Sequence, residues 1–226
     1  RLVEDAPVKI LRDFRMEQEG VLEPGDMLYL PPGYAHNGVA KDDCMTYSIG
    51  FRAPAHQELA TQFLVYLQDN AAIRGMYRDP DITLQSRPGH IGSPMVDQAG
   101  AALDKIKWNR MDVEHFMGTY LTEPKPHIFF VPPSDPLPEK KFIDEIKENG
   151  LQLDLKSRML YRKKTIFLNG DSYAPGATAR RSLEKLADRL ILPTAKHFND
   201  EALALCYQWY LYGYIEIASQ PGGIDA

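Results

Sequence analysis

The stretch Gly25–His36 constrains the fold of this chain more than any other part of its sequence. A turn comes first, in which Pro24 fixes φ at the second position and Gly25 tolerates a positive φ at the third. The apolar run Met27–Leu30 then predicts a strand, which a Pro-Pro-Gly bend ends. The bend is followed by His36. This order of turn, strand and bend is expected to bring one imidazole to the mouth of a small β-barrel, as a ligand for a divalent transition metal.

A second run in the same region alternates between two kinds of side chain. Within it the small or polar residues are Cys44, Thr46, Ser48 and Gly50, and the large apolar ones are Met45, Tyr47, Ile49 and Phe51. In a strand these two sets point to opposite faces. A barrel wall that holds a ligand needs large residues towards a packed layer and small polar ones towards the cavity. We therefore expect Thr46 and Ser48 to face the barrel interior, with further short strands at Val8–Arg12 and Phe14–Met16.

These strands define a first zone over residues 1–52, and a helical zone follows over residues 53–122. In the second zone apolar residues recur at helical spacing. The pair Ser93-Pro94 predicts an N-cap followed by a proline at the first helical position. The helix that it opens is expected to run to about Tyr120, either unbroken or interrupted near Asn109-Arg110.

The third zone, residues 123–226, reads as a small α/β domain behind two proline-rich connections. Asn169-Gly170 is a strong signal for chain reversal between two strands. A helix, strands with a turn and then two helices are typical of a winged-helix-like module. The predicted helices are Lys140–Asn149, Thr178–Leu192 and Asn199–Tyr212, and the predicted strands are Leu151–Leu155 and Thr165–Leu168, with Ser157–Tyr161 as a candidate third.

Composition and charge exclude several classes of function. The chain has 226 residues, of which 44% are hydrophobic and 25% charged, as is ordinary for a globular protein. Its net charge of −5 argues against general binding to nucleic acids or membrane surfaces. No apolar run reaches the roughly 18–20 residues of a membrane span, and the first residues do not resemble a signal peptide. Because the two cysteines lie far apart, we expect a protein of the reducing cytoplasm.

The string from Glu23 to Gly38, followed by Met45–Pro54, closely resembles the bacterial ribosomal oxygenases. These are JmjC-type arginyl hydroxylases that depend on Fe(II) and 2-oxoglutarate. The order of the three zones is similar too. The resemblance implies an α+β fold: the C-terminal part of a double-stranded β-helix (cupin/JmjC) barrel over residues 1–52, a helical dimerisation region over 53–122 and a winged-helix-like domain over 123–226. The residues that carry the second motif of the cupin and JmjC superfamily are Gly25, Pro31, Gly33 and His36.

The same resemblance implies an oxygenase that hydroxylates an arginine of a large-subunit ribosomal protein, namely protein sixteen. His36 would be the distal iron ligand, and the other two ligands would come from a His-x-Asp or His-x-Glu pair on an earlier strand. The pair His56-x-Glu58 follows His36 instead and opens a predicted helix, where Glu58 favours the first turn. With one ligand of three, the chain is expected to be inactive alone. Its start at Arg1, directly in strand-like sequence, favours a fragment.

Four further residues are candidates for the site. The hydroxyls of Thr46 and Ser48 would bind the cosubstrate 2-oxoglutarate, or they are ordinary strand hydroxyls bonded to the backbone. Tyr34 and Asn37 flank His36 and would line the entrance, where they would contact the substrate. Asn37 is equally consistent with turn chemistry. The helical zone would pair two protomers in a homodimer.

Two other functions stay open from the residues alone. The first is a cupin metalloenzyme that does not use 2-oxoglutarate. The second is a non-enzymatic binding or regulatory protein with a winged-helix end. Residues 125–200 contain 14 Lys and Arg against 10 Asp and Glu, and a surplus this small favours a solvated hairpin face over nucleic-acid binding. The basic residues that raise the question are Arg158, Arg162, Lys163, Lys164, Arg180 and Arg181.

Overall fold

The computed structural model describes residues 3–5, 7, 10–50, 53–70, 74–78, 84 and 86–218. The chain divides into two compact units, residues 1–53 and residues 54–226. Among the helices of the described ranges, none has the length and apolar character that a bilayer crossing requires.

Two tight turns organise the first unit. In the first, the amide of Asp26 donates to the carbonyl oxygen of Glu23 at 3.0 Å, and Gly25 has a φ of +95°. In the second, the amide of Tyr34 donates to the carbonyl oxygen of Pro31 at 3.2 Å, and Gly33 has a φ of +88°. A positive φ at the third position requires glycine in both turns. The predicted turn at Gly25 and the predicted Pro-Gly bend are therefore confirmed.

The strands predicted for this unit are not formed in its described part. Phe14–Met16, Met27–Leu30 and residues 44–50 have no strand assignment. Met27 is 90% exposed and Tyr47 is 83% exposed. The reason is that strands are stabilised by neighbours, and no described segment pairs with these runs or covers their apolar faces. Val8, Lys9 and Phe51 of the remaining strand predictions lie outside the described residues.

The second unit begins with three helices: α1 (His56–Asn70), α2 (Ser93–Leu103) and α3 (Arg110–Thr122). The predicted break near Asn109 is confirmed, because its side chain accepts from the amide of Met111 at 2.6 Å and its amide donates to Asp112 at 2.7 Å in a capping box. The predicted N-cap at Ser93 is wrong by one position, since Gly92 is the N-cap. A proline fits throughout the first turn, where amides have no intrahelical partner, so Pro94 does not fix the register.

The C-terminal part of this unit combines three helices with two small antiparallel sheets. One sheet has the order β5-β1-β6 and the other β2-β3-β4. The Asn169-Gly170 reversal is confirmed between β3 and β4, with positive φ at both residues. The elements are α4 (Glu139–Asn149), β1 (Leu151–Leu153), β2 (Met159–Arg162), β3 (Thr165–Leu168), β4 (Asp171–Tyr173), α5 (Ala177–Arg189), β5 (Ile191–Leu192), α6 (Asp200–Leu211) and β6 (Ile215–Ile217).

The predicted helix Thr178–Leu192 is too long at its C-terminal end. The helix α5 stops at Arg189 because Leu190 adopts a left-handed conformation with a φ of +63°. Ile191 and Leu192 then pair with β1. These elements enclose one apolar core, and the side chains in it that are wholly inaccessible to solvent include Trp209, Phe142, Ile146, Leu151, Ile166, Leu168, Leu183 and Leu186.

Candidate functional site

His36 lies three residues beyond the Gly33 turn and is exposed. Tyr34, in the turn itself, is 67% exposed. Thr46, Ser48 and Asn37 are exposed as well. Across the described ranges, the structure does not gather these five side chains into an enclosed site.

The number of ligands decides whether this segment fits a metal centre. A neutral imidazole is a suitable donor for Fe(II). An oxygenase iron needs two further protein ligands, and no group of three or more His, Cys, Asp or Glu residues that could hold a metal ion occurs among the described residues. By its chemistry His36 fits one position of an iron site, and the described residues do not supply the other two ligands.

The pair His56-x-Glu58 has the structural role predicted for it. The helix α1 begins at His56, and Glu58 lies in its first turn. Glu58 also accepts a hydrogen bond of 3.0 Å from the hydroxyl of Tyr120 on α3. The carboxylate therefore stabilises the start of α1 and ties it to α3.

A cluster that the sequence did not reveal surrounds Glu114 on α3. Its carboxylate accepts from Arg110 at 3.1 Å and from Arg162 at 2.7 Å, and it contacts the ammonium of Lys163 at 2.8 Å. These cations, above all Arg162 and Lys163, lower the pKa of Glu114 from 4.5 to about 2. Two of the three cations lie 48 and 49 positions along the chain, at the tip of the β2–β3 hairpin, so helical spacing alone would not have found them.

A second polar group joins α1, α3 and β4. The Nδ1 atom of His115 lies 3.1 Å from the hydroxyl of Tyr66, and its Nε2 atom lies 3.0 Å from the hydroxyl of Ser172. Burial, with a smaller contribution from the carboxylate of Asp112, raises the pKa of Tyr66. His115 therefore links neighbouring elements.

Other features that suggested nucleic-acid contact have internal partners. Arg180 pairs with Glu184 at 3.3 Å, and Arg181 donates to the carbonyl oxygen of Ala177. Among the aromatic residues of α6, Trp209 is wholly buried and Tyr207 donates to the carbonyl oxygen of Leu137. These two aromatic side chains thus belong to the packing of the core.

Two family models match the chain. One describes a JmjC domain and matches residues 1–59, and the other describes a ROXA-like winged helix and matches residues 105–216. They occur in the order of the predicted zones. The first contains Gly25, Gly33 and His36, and the second contains the Glu114 cluster.

The chain is also similar in sequence to two curated bacterial proteins. The chain is 30% identical over 187 residues to the "Ribosomal protein uL16 3-hydroxylase" of Escherichia coli, which covers 79% of this chain and 48% of that protein. It is 42% identical over 64 residues to the "Probable ribosomal oxygenase" of Haemophilus influenzae, over 28% of this chain and 14% of the relative.

Solved structures of the E. coli ribosomal oxygenase YcfD share the fold. One has a TM-score of 0.56 at 22% identity, over 76% of this chain and 48% of that one. Another, in complex with cobalt and 2-oxoglutarate, has a TM-score of 0.55 at 22% identity, over 74% of this chain and 47% of that one. The chain thus spans about half the length of these E. coli relatives. With a JmjC segment followed by a ROXA-like winged helix, it is similar to the bacterial ribosomal oxygenases over that part of their length.

Proposed function

We propose that the protein to which this chain corresponds is an Fe(II)- and 2-oxoglutarate-dependent oxygenase that hydroxylates an arginine of large-subunit ribosomal protein uL16. The main support is the succession of a JmjC segment and a ROXA-like winged helix, in a chain 30% identical to the E. coli uL16 hydroxylase. The complex of YcfD with cobalt and 2-oxoglutarate supports the choice of cosubstrate, with cobalt standing in for iron.

The candidate residues have separate roles in this proposal. His36 supplies one ligand to the iron, after the two glycine turns that match the family motif. Thr46 and Ser48 bind 2-oxoglutarate once residues 44–50 pair with neighbouring strands. Tyr34 and Asn37 contact the substrate at the entrance. Because the described residues supply one ligand position, the chain alone is expected to hold no stoichiometric iron and to be inactive.

The remaining parts of the proposal concern assembly. Residues 1–52 would contribute to the barrel, 53–122 to a dimer interface and 123–226 to the winged-helix domain. Exposed apolar side chains on the helical zone support the homodimer, among them Leu64, Val96, Leu103, Trp108 and Met111. A ribosomal-protein substrate places the enzyme in the cytoplasm.

The test compares the 226-residue chain with the same chain extended by whatever residues its gene encodes before Arg1. Each protein is incubated with Fe(II), 2-oxoglutarate and recombinant uL16. Succinate is quantified, and the substrate is mapped by mass spectrometry for the addition of one oxygen atom to an arginine. We expect both products from the extended protein and neither from the shorter chain.

Matched histidine variants locate the metal ligand in the extended protein. His36→Ala should abolish succinate formation and iron binding, whereas His90→Ala, at another exposed histidine, should leave both unchanged. Product formed without 2-oxoglutarate would favour the other kind of cupin metalloenzyme. Succinate and stoichiometric iron with the 226-residue chain would refute the assignment of one ligand, and an unmodified uL16 in every reaction would refute the proposed substrate.

A further inference from the structure

Two cations at the tip of the β2–β3 hairpin bind the same carboxylate of another element. This hairpin is the wing, defined here as residues 159–168. Arg162 ends β2, and Lys163 follows it in the turn with a φ of +53°. Both cations point to Glu114 on α3, at 2.7 and 2.8 Å, and Arg110 joins them from one helical turn earlier.

The cations of this cluster are far more accessible than the carboxylate they surround. The side chain of Glu114 is 14% exposed, whereas those of Arg162 and Lys163 are 48% and 64% exposed. Three positive charges against one negative charge leave a local surplus of two. Lys164, the next residue of the turn, is also exposed, and no described residue pairs with it. The wing tip is thus a cationic surface, and its two shortest ion pairs are those of Arg162 and Lys163 with Glu114.

Carboxylate and phosphate oxygens compete for the same cations. Arg and Lys bind both through charge-assisted hydrogen bonds of similar length. Domains of the helix-turn-helix type contact nucleic-acid backbones through such cations. The Glu114 carboxylate, whose pKa is about 2, is ionised at physiological pH, and it lies 2.7 Å from Arg162 and 2.8 Å from Lys163.

We propose that Glu114 keeps the wing from binding nucleic-acid phosphate, by occupying the two cations that would otherwise contact the backbone. The carboxylate takes the place that a phosphate oxygen would have. The domain thereby retains the shape of a nucleic-acid-binding module while its wing is engaged with α3. Glu114 thus determines specificity against nucleic acids, and this role does not depend on the reaction proposed above.

The test measures binding of the full chain to a labelled DNA duplex and to a labelled single-stranded RNA by fluorescence anisotropy. We expect weak binding by the wild type. Glu114→Gln keeps the shape of the side chain and removes its charge, so it should bind both probes at least about tenfold more tightly at about 50 mM salt. Two new phosphate contacts would also steepen the salt dependence, by about 1.4 to 1.8 in the slope of log K against log salt concentration.

A matched control separates the wing from overall charge. Glu145→Gln makes the same change in net charge on α4, where the carboxylate accepts a hydrogen bond from Asn149. It should bind as the wild type does. Adding Arg162→Gln and Lys163→Gln to Glu114→Gln should return binding to the wild-type level. Equal gains in the two Glu→Gln variants, no gain in Glu114→Gln, or tight binding by the wild type would each overturn the proposal, and a gain with one probe only would restrict it to that nucleic acid.

A measurement on the wild type keeps the proposal testable if Glu114→Gln does not fold. Acylation of lysines by a limiting amine-reactive ester reports how free each ammonium is. Lys163 should react several times more slowly than its neighbour Lys164, because its ammonium is bound to Glu114. Equal rates at the two adjacent lysines would contradict the occupied state on which the inference rests.

Discussion

At the scale of single residues, Gly118 shows how closely α3 approaches the wing. A Cβ atom added at this position would lie 2.4 Å from three ring atoms of Phe167, which is itself 2% exposed. Only glycine therefore permits this packing. Gly118→Ala should lower the free energy of unfolding by about 1–3 kcal/mol, because the ring or the helix must shift. The measurement is the urea midpoint of the full chain.

A second helical glycine provides the control for this substitution. At Gly100 in α2, an added Cβ atom would meet no other atom within 4 Å. Gly100→Ala should therefore not lower the free energy of unfolding. The higher helix propensity of alanine would raise it by up to about 1 kcal/mol. Equal destabilisation by both substitutions would show that the contact with Phe167 is not the cause.

Glu114 also gives the protein a definite dependence on pH. Its pKa is about 2 in the folded chain, compared with an ordinary value of 4.5. A lowered pKa means that the ionised carboxylate stabilises the folded state. This stabilisation is complete above about pH 4.5 and is lost as the pH falls towards 2. The difference in urea midpoint between the wild type and Glu114→Gln should thus be larger at pH 7 than near pH 2.5, and an unchanged difference would contradict the ion cluster.

At the scale of the elements, the hydroxyl of Tyr66 links α1 to α3 through His115. Tyr66→Phe removes this hydrogen bond and keeps the ring contacts with Phe63 and Phe116. We expect a loss of about 0.5–1.5 kcal/mol. Hydrogen exchange should become faster in α1 before it changes in α4. Tyr212→Phe, which removes an exposed hydroxyl bonded to Gln208, is the control and should change neither.

Elements with local signals could be predicted from sequence to within a few residues. Gly25, Gly33 and Asn169-Gly170 specify their turns through backbone φ alone. The helix α4 begins one residue earlier than predicted and ends at Asn149 as predicted, because Gly150 adopts a φ of +85°. By contrast, β5 depends on pairing with β1, which lies about 40 residues away in the chain, and the local pattern predicts a continuation of the preceding helix over its residues. Contacts distant in sequence leave no local pattern.

At the scale of the whole molecule, the two units should differ in resistance to protease. Arg12, Arg15 and Lys41 are exposed in a segment without helices or strands in its described part. Limited trypsin digestion should cleave at these three sites first, because local opening there requires little unfolding. Mass spectrometry should show fragments that retain residues 105–218. Cleavage within α4 or α5 at comparable rates would contradict the predicted order.

The candidate site was predictable only in part, because some of its features are local in sequence and others depend on residues far apart in the chain. The motif residues Gly25, Gly33 and His36 follow one another in sequence, so their spacing could be recognised directly. A metal centre needs ligands from several strands, and its geometry cannot be inferred from one of them. Arg162 and Lys163 are distant from Glu114 in sequence, so their ion pairs depend on the packing of the wing against α3.

The exposed apolar side chains of residues 27–30 and 44–50 include methionines whose oxidation reports how well these residues are covered. Met27 and Met45 are 90% and 78% exposed, whereas Met159 in the core is 4% exposed. Dilute hydrogen peroxide should convert the first two to sulfoxides rapidly and leave the third intact. If partner strands cover these residues in the extended protein, oxidation of Met45 should slow while Met159 serves as the internal standard. The oxidation rate of Met45 would then show whether partner strands cover residues 44–50.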